Sequence, residues 1–269
     1  MDSLIVELPG RCVAAAVGGD TVWCAAGGRL LGFTENGTRR FDVPLLDGVN
    51  HIGAGRGLLV ASLGPGTIAW LDPRSGSVLA KQPAGAAPLL VSGGGAVWAV
   101  DRSMSMAWRV REDGALDAAR LVPGVDRVAA DGDRLWWTMA GGALLRDFER
   151  TVDLGVTARD HGALAVCAGS VWISVAGGLI RVGTWAAEKG PIVEAPDGPV
   201  PFLTCSDGVL VGASERGRLF VLDPSADADA RVLDVDTGGN MGALVALGGT
   251  AWVFSAVRAE ARLIIVRAG

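Results

Sequence analysis

Two histidines, His51 and His161, are the only imidazoles in the chain and its clearest candidates for proton transfer. An unperturbed histidine titrates near ~6.5, so either side chain could act as an acid or a base at neutral pH. Asn50 directly precedes His51, and Asp160 directly precedes His161. Arg127 could grip a carboxylate with two parallel hydrogen bonds, and Asn50 could help it to hold an oxyanion. These residue types indicate acid–base chemistry on a small molecule.

Cofactor chemistry has no comparable signal. The chain contains no G-x-G-x-x-G between a strand and a helix and no P-loop, so we expect no nucleotide or redox cofactor. None of its four cysteines forms a C-x-x-C, which disfavours a zinc site of that type. A divalent metal held by the two histidines and an aspartate stays an alternative, although the spacing of these residues is not diagnostic.

The charge balance limits the partners. The 269 residues carry a formal net charge of -5 and no basic run. Phosphate binding needs clustered lysines and arginines, so nucleic acid is not expected. Three uncharged stretches, at 82–100, 162–180 and 237–257, are as long as a membrane helix, but glycine pairs or runs interrupt each one. We therefore expect short strands there and no membrane span.

The cysteines are interpreted as small buried strand residues with reduced thiols. They are Cys12, Cys24, Cys167 and Cys205. The first residues lack the basic segment and apolar run of a signal peptide. Together these observations predict a cytoplasmic protein.

A repeated unit must position the candidate residues. Its first copy is a glycine-marked turn at Gly19, followed by a strand with a tryptophan at its third position, Trp23. Versions of it return at intervals of 36 to 42 residues, the range for propeller blades of four short strands. The third strand position is occupied by Trp23, Leu59, Trp98, Trp136, Trp172, Leu210 and Trp252. We expect these tryptophans to pack blade on blade.

Each repeat has the same internal order. A small apolar strand leads through a tight Gly or Asp turn into the tryptophan strand, which is rich in strand-favouring Val, Trp and Leu. A third strand follows, and many repeats then have Asn-Gly or Asp-Gly, which supply the positive φ angles of a hairpin. The fourth strand is more polar and is expected at the solvated outer edge.

The ends of the chain predict how the ring closes. The seventh repeat stops after its third strand, while residues 3–8 belong to no repeat. We expect this N-terminal strand to complete the last blade, which removes an open sheet edge. The sequence thus predicts an all-β, seven-bladed β-propeller with four-stranded blades, forming a single domain over 1–269. The expected blades span approximately 11–46, 47–85, 86–123, 124–159, 160–197, 198–239, and 240–269 plus strand 3–8.

Two repeats resemble a known blade motif. Residues 57–81 and 208–224 each contain a valine-containing strand, a glycine hairpin and a strand that ends in Asp72 or Asp223. Both are similar to the YVTN-type propeller repeat, one of the WD40-like blades, and the G-x-x-V/L-W strands resemble those of virginiamycin B lyase-like propellers. The resemblance implies the fold. That lyase family's site uses a His from one blade and a Glu-x-His from another; this chain has no Glu-x-His, so the streptogramin-opening activity is not implied.

Departures from the repeat locate a candidate site, because propeller ligands commonly sit at one mouth of the central channel. Eight positions before the tryptophan reference, six blades have an apolar residue and one has His51. Nine positions before it, Asn50 and Arg127 stand out. Burying a polar group without a partner costs roughly 1–3 kcal/mol, so the presence of His51 at an otherwise apolar repeat position requires an explanation. The alternative to function is a bond from His51 to a backbone carbonyl between blades.

His161 belongs to blade five, three steps round the ring from blade two, so it would face His51 across the mouth. A plain surface position is the alternative. Further candidates for substrate binding near the mouth are Arg11, Asp126, Asp160 and Asn240. For Arg127, a structural ion pair with Asp126 or Asp160 is the alternative.

Blade three replaces the short glycine hairpin with a longer loop. Its candidates for contact with a substrate or a partner protein are Asp101, Arg102, Met104, Met106 and Trp108. Methionine adapts to irregular surfaces, so two of them on a loop with a tryptophan could cover a ligand. A loop folded over its own blade is the alternative.

The sequence therefore predicts a small-molecule-binding propeller that acts as a cofactor-independent enzyme at the mouth of its channel. The expected chemistry is acid–base chemistry of the lyase or cyclisation type, with His51 and His161 as the catalytic residues. The alternative is a non-catalytic propeller scaffold that binds a protein or a ligand, because the fold alone does not separate the two.

Overall fold

The glycine-marked turns divide the chain into short strands, as the repeat predicts. The computed structural model describes residues 3–44, 48–64, 66–84, 88–139, 144–155, 162–185, 188–195, 200–214, 216–224, 231–233, 235, 237, 241–257 and 260–267. These residues form 28 β-strands in seven four-stranded antiparallel sheets, with no helix among them. The prediction of an all-β, seven-bladed propeller is confirmed.

Each sheet is one blade, with an inner strand, a second strand, a third strand and an outer strand. The inner strands are β2 (Cys12–Gly18), β6 (Val49–Gly55), β10 (Leu89–Gly93), β14 (Val125–Asp131), β18 (Leu164–Cys167), β22 (Phe202–Ser206) and β26 (Met241–Leu247). The second strands are β3 (Thr21–Ala26), β7 (Leu58–Leu63), β11 (Ala96–Asp101), β15 (Arg134–Met139), β19 (Ser170–Val175), β23 (Val209–Ala213) and β27 (Thr250–Val257).

The remaining strands complete the blades in the same order. The third strands are β4 (Arg29–Thr34), β8 (Thr67–Leu71), β12 (Met106–Val110), β16 (Leu144–Arg146), β20 (Gly178–Gly183), β24 (Leu219–Leu222) and β28 (Glu260–Arg267). The outer strands are β5 (Arg39–Pro44), β9 (Val78–Pro83), β13 (Arg120–Leu121), β17 (Thr151–Asp153), β21 (Lys189–Glu194), β25 (Arg231–Leu233) and, in blade 7, β1 (Ser3–Leu8).

The N-terminal strand closes the ring. β1 pairs antiparallel with β28 along its whole length, from Ser3 opposite Val266 to Leu8 opposite Ala261. The inner strands contact one another in a closed circle, with β2 against both β6 and β26. The predicted closure of blade 7 by the N-terminal strand is confirmed. The division into one domain with the blade limits given above stays a prediction.

The core lies between the blades. Seven hydrophobic clusters each combine residues of two neighbouring blades. The repeated tryptophans are at most 2% exposed. The Trp98 indole N–H donates to the Gly132 carbonyl of the next blade at 3.0 Å. The predicted packing role of the tryptophans is therefore confirmed.

Glycine allows the inner strands to approach one another closely. A Cβ atom on Gly93 would overlap the backbone carbonyl of Ala130 in the next blade. Gly94, which follows in the turn, has a φ of 57°, a conformation that other residues rarely adopt. Small residues at this end of the inner strands thus bring neighbouring blades together around the channel.

The cysteines differ from the sequence-based expectation. Cys167 on β18 and Cys205 on β22 form a disulfide that links blades 5 and 6 across 38 residues of sequence. The interpretation of all four cysteines as reduced thiols is therefore wrong for this pair. Cys167 is the last residue of β18, opposite Ser170, whereas Cys205 is the next-to-last residue of β22, opposite Leu210. This offset of one residue places the two side chains on opposite faces of their sheets, so they meet where blade 5 packs against blade 6. Cys12 and Cys24 are free and buried.

No helix in the described residues has the length and hydrophobicity that a membrane crossing requires.

Candidate functional site

The channel runs along the propeller axis between the inner strands. We call the end at which the inner strands begin the entry mouth and the end at which they finish the far mouth. A cavity of about 810 Å³ extends through the channel, from Arg102 and Arg127 at the entry mouth to Arg56 at the far mouth. Its wall is largely apolar and includes Ile52, Leu89, Leu90, Val91, Val128 and Val245. Among the described lining residues, the only charged side chains are these three arginines.

Bulges interrupt the inner strands at the entry mouth. In β6 the register shifts between Val49 and His51, so Asn50 is the extra residue. In β14 a shift between Val125 and Val128 includes Arg127. A β-bulge re-aims side chains and is frequent beside active sites. Similar shifts occur at the same ends of β2 and β26, so the bulge is common to several blades, and Asn50 and Arg127 are polar side chains placed in it.

His51 lies half-buried at the start of β6, in a direct pair with Ser62 of β7. Burial, and secondarily the positive charge of Arg102, lowers the pKa of His51 from its usual 6.5. The imidazole is therefore neutral at pH 7, the form that accepts a proton. The hydrogen bonds between the described residues include none from the His51 ring.

Arg102 reaches the entry mouth from the loop between β11 and β12. Asp101 ends β11 as a buried residue, and its Oδ1 atom accepts hydrogen bonds from the Ser103 amide, the Ser103 hydroxyl and the Met104 amide. These bonds hold the loop in a turn. The exposed Arg102 side chain makes no ion pair with any described residue. Asp101 thus fixes the loop, and Arg102 stays available to a ligand.

The other candidates of the blade 3 loop have different positions. Met104 is 56% exposed at the tip of the loop. Met106 and Trp108 lie within β12, where Met106 is half-buried and Trp108 packs against a hydrophobic cluster between blades 2 and 3. The expectation of Trp108 on the loop is corrected: β12 begins two residues before Trp108, and the half-buried indole packs against that cluster.

Arg127, Asp126 and Asn50 make local contacts at the entry mouth. Arg127 Nη1 lies 3.2 Å from Asp126 Oδ1, so the structural ion pair that was the alternative for Arg127 is present. The Arg127 side chain nevertheless stays 45% exposed and lines the cavity. The exposed Asn50 side chain donates to the Gly64 carbonyl at 3.5 Å.

Arg11 is the candidate from blade 1. It is exposed and directly precedes β2, and it makes no ion pair with any residue that the structure describes.

The described candidates come from four successive blades. Blade 1 supplies Arg11, blade 2 supplies Asn50 and His51, blade 3 supplies Arg102, and blade 4 supplies the pair of Asp126 and Arg127. His161, Asp160 and Asn240 lie outside the described residues, so their predicted roles stay predictions. Within the described part of the chain, no group of three or more His, Cys, Asp and Glu is placed to hold a metal ion.

Sequence reasoning missed Arg56, Ser62 and the channel wall. Arg56 lines the far mouth of the cavity, where the other blades have Gly, Ala or Asp, so a signal was present. Ser62 is completely buried beside His51, and its hydroxyl makes no hydrogen bond with the described residues. No sequence signal marks Ser62, because small polar residues are common at strand ends. The disulfide cysteine Cys205 also lines the channel.

Comparisons with known proteins support the fold. No protein-family model matches the chain, and no curated protein matches its sequence. A solved streptogramin B lyase is similar with a TM-score of 0.72 and 13% identity, covering 98% of each chain. A catalytically inactive virginiamycin B lyase from Staphylococcus aureus with quinupristin is similar with a TM-score of 0.70 and 11% identity, covering 98% of this chain and 100% of that one. The computationally designed Ika8 protein has a TM-score of 0.65 and 12% identity, with 96% of each chain covered.

The chain is therefore a seven-bladed β-propeller whose structural neighbours include virginiamycin B lyase-like propellers, and the predicted likeness to that type is confirmed for the fold. At 11–13% identity, the likeness shows the fold alone. The similarity to YVTN-type and WD40-like repeats stays a prediction.

Proposed function

We propose that this propeller binds a small molecule with an anionic group at the entry mouth and performs acid–base chemistry of the lyase or cyclisation type on it. One observation carries the proposal: a neutral, half-buried His51 lies under the influence of Arg102, which lines an otherwise largely apolar cavity. The chain as a whole carries a net charge of -5, whereas the described charged residues that line the cavity are all arginines. The cavity therefore favours an anionic ligand, unlike the chain as a whole.

The arginines favour an anionic group such as a carboxylate. Arg102 is unpaired in the described structure, and Arg127 presents a guanidinium whose exposed face is not used by Asp126. A guanidinium can donate two parallel hydrogen bonds to a carboxylate, and a low-dielectric site strengthens them. The apolar channel wall below would accept the hydrocarbon part of the ligand.

His51 is the proposed general base. A neutral imidazole can take a proton from the carbon next to a carboxylate or carbonyl, while Arg102 or Arg127 stabilises the charge that develops on the oxygens. The protonated His51 then returns the proton to the leaving group in an elimination, or to the closing ring in a cyclisation. A bound anion also offsets the charge of Arg102, so His51 becomes a stronger base once a ligand is present. The two carboxylates nearby, Asp101 and Asp126, serve the loop and Arg127.

His161, on the opposite side of the predicted ring, is proposed as the second acid–base group. Asp160, which precedes His161, and Asn240 at the start of the seventh repeat are proposed as further ligand contacts at the mouth. We propose no cofactor, and we expect the ligand to be a small molecule rather than nucleic acid or a membrane. The cytoplasmic location stays a prediction from the sequence, and its argument from reduced thiols does not apply to Cys167 and Cys205, which form a disulfide.

The test is a thermal-shift screen of the full chain with carboxylic acids and the corresponding primary amides. We expect some acids to stabilise the protein, their amides to have little effect, and the difference to vanish in Arg102→Gln with Arg127→Gln. Arg109→Gln is the matched control, because Arg109 belongs to the same blade as Arg102 but pairs with Asp133 outside the cavity. Amides as effective as acids would contradict the proposed anionic ligand.

Turnover of the stabilising acids is then followed by mass spectrometry. His51→Gln should keep ligand binding and reduce turnover by about 10²–10⁴-fold, the typical contribution of a general base. Binding with no turnover by the wild-type protein would instead support the non-catalytic alternative. A protein partner at blade 3 would involve Met104 and Leu121, which are 56% and 69% exposed. The signature of such a partner is an interaction that is lost in Met104→Ser while binding of the small molecule is unchanged.

A further inference from the structure

A buried pair of cysteines in blade 1 has no assigned role in the proposed chemistry. Cys12 on β2 and Cys24 on β3 are 3% and 0% exposed. Their sulfur atoms are 2.9 Å apart, which is shorter than an ordinary van der Waals contact between two thiols. The Cys12 thiol also contacts the Ala14 carbonyl at 3.2 Å. The two side chains thus meet inside the sheet rather than at separate places in the core.

The strand register explains why the two sulfurs meet. Cys12 is opposite Ala26, and Cys24 is opposite Ala15, with a bulge in β2 between Cys12 and Ala14. Cys24 and Ala26 are two residues apart on β3, so their side chains point to the same face of the sheet. Cys12 shares that face as the partner of Ala26, and it therefore stands diagonally across from Cys24. The 2.9 Å separation of the two sulfur atoms shows that this diagonal pair is in contact.

This pair lies where the ring closes. Both cysteines belong to the hydrophobic cluster between blades 7 and 1, together with Trp252 and Phe254. A side chain at Gly242 of blade 7 would lie 2.6 Å from the Cys12 carbonyl oxygen, so the Cys12 backbone is held tightly against blade 7. Cys12 also begins the first strand after β1, at the point where the chain passes from blade 7 into blade 1.

We propose that Cys12 and Cys24 form a second disulfide, which fastens the start of blade 1 to its second strand beside the ring closure. The sulfur–sulfur bond forms as two S–H bonds are lost, and the two electrons and two protons pass to a disulfide oxidant, which becomes two thiols. Oxidised glutathione or the disulfide of a protein oxidant has the required chemistry. All four cysteines are then paired, with one bond inside blade 1 and one between blades 5 and 6.

The burial of the pair sets the time at which this bond forms. Desolvation, followed by the contact with Cys12, raises the pKa of the Cys24 thiol well above its usual value. The thiolate is the species that attacks a disulfide, so the folded pair reacts slowly. The bond therefore forms while blade 1 is still open, before blade 7 covers it. After folding, the same burial protects the bond from reduction.

The experiment maps disulfides in the full wild-type chain, refolded with a mixture of reduced and oxidised glutathione. The sample is quenched in acid, unfolded without reductant, treated with iodoacetamide and digested with trypsin. Residues 12–29 form a single tryptic peptide that contains both cysteines. We expect this peptide to carry no alkyl group, to be lighter by two hydrogens than the dithiol, and to gain two alkyl groups after reduction. Two alkyl groups without reduction would overturn the proposal.

The other pair is the internal control. The peptides 160–181 and 190–216 should be cross-linked through Cys167 and Cys205 in the same sample, which shows that the refolding conditions oxidise thiols. In Cys167→Ala with Cys205→Ala, the 12–29 peptide should still be closed. In Cys12→Ala, Cys24 should be fully alkylated. A bond between Cys12 or Cys24 and either of the other cysteines would also overturn the proposal.

Discussion

His51 is the residue on which the proposed chemistry depends, because its charge state at neutral pH follows from where it lies. An exposed histidine would be partly protonated near pH 6.5. Burial at the start of β6 and the nearby Arg102 both favour the neutral ring. The same two features make His51 a weak base that is neutral at pH 7, and an anion that offsets the charge of Arg102 would make it a stronger base.

The pKa of His51 can be measured directly, because the chain contains only two histidines. In an NMR titration, with His161→Asn to assign the signals, we expect His51 to titrate below 6.5 and Arg102→Gln to move its pKa upward. Arg109→Gln should leave it unchanged. A His51 pKa at or above 6.5 in the wild-type protein would refute the role of Arg102 and the general-base assignment.

The lowered pKa of His51 also makes stability depend on pH. Below about pH 6.5 the unfolded chain binds a proton that the folded protein resists. The free energy of unfolding should therefore fall as pH decreases from 6.5 towards the lower pKa of the folded state, and it should be constant above 6.5 for this group. Urea unfolding of His51→Gln should show a smaller decrease over the same range than the wild-type protein.

Ser62, which faces His51 across the strand pair, gives a matched test of buried hydroxyl groups. Its Oγ has no hydrogen-bond partner in the described structure, whereas Ser174 Oγ accepts the Val200 amide at 3.1 Å. Both residues are at most 1% exposed. We expect Ser62→Ala to leave the free energy of unfolding unchanged or slightly raised, and Ser174→Ala to lower it by about 1–3 kcal/mol. Equal losses in urea unfolding would mean that Ser62 has a partner.

At the scale of elements, β1 connects the two ends of the sequence. It supplies the outer strand of blade 7 and covers the edge of β28. Leu8 is buried in the cluster between blades 7 and 1, while Leu4 and Ile5 are exposed. The strand is therefore held mainly by its ladder of backbone hydrogen bonds and by its final residues.

Removal of residues 1–8 should open the ring. We expect a lower urea midpoint, because Leu8 and the ladder are lost, and self-association that increases with concentration, because the edge of β28 becomes free. Leu4→Ala and Ile5→Ala are controls that should change stability by no more than about 0.5 kcal/mol, as is usual for exposed positions. Light scattering and urea unfolding measure both effects. A truncated chain as stable and monomeric as the full chain would contradict the closure.

The sequence shows the strands and their order more clearly than it shows their ends. Local turn chemistry, such as Gly94 at a φ of 57°, repeats in each blade and so identifies hairpins without tertiary information. The start of β12 was misjudged, since the loop after Asp101 resembles a long surface insertion until the contacts of Trp108 with the core are known. The bulge at Asn50 depends on strand pairing, which the sequence does not display.

At the scale of the whole molecule, the ring packs one face of each blade against the opposite face of the next blade. Cys167 and Cys205 differ by one residue in their distance from the turn that follows, so their pairing depends on the strand register and could not be inferred from the repeat alone. His51 was found by alignment of the repeats. Arg102 was less accessible to this reasoning, because its position at the channel depends on how Asp101 turns the loop. Some site residues, such as His51, can thus be found by aligning the repeats, whereas others, such as Arg102, depend on loops that interrupt them.

The propeller places candidate residues from four successive blades at the end where the inner strands begin, and Arg102 and Arg127 are the ones among them that line the cavity. Arg102 and Arg127 stand at the entry mouth and Arg56 at the far mouth, with an apolar wall between them. An anion that binds here can place its charged group at one end and its hydrocarbon part along the wall. The location of the bound ligand is therefore the central claim about function.

A crystal structure of the protein soaked with the best-binding carboxylic acid tests that claim most directly. We predict that the carboxylate lies at Arg102 and Arg127, within reach of His51, and that the apolar part extends along Leu90 and Val91. An acid bound at the far mouth around Arg56, or on the outer surface of the blades, would contradict the assignment of the entry mouth as the functional site.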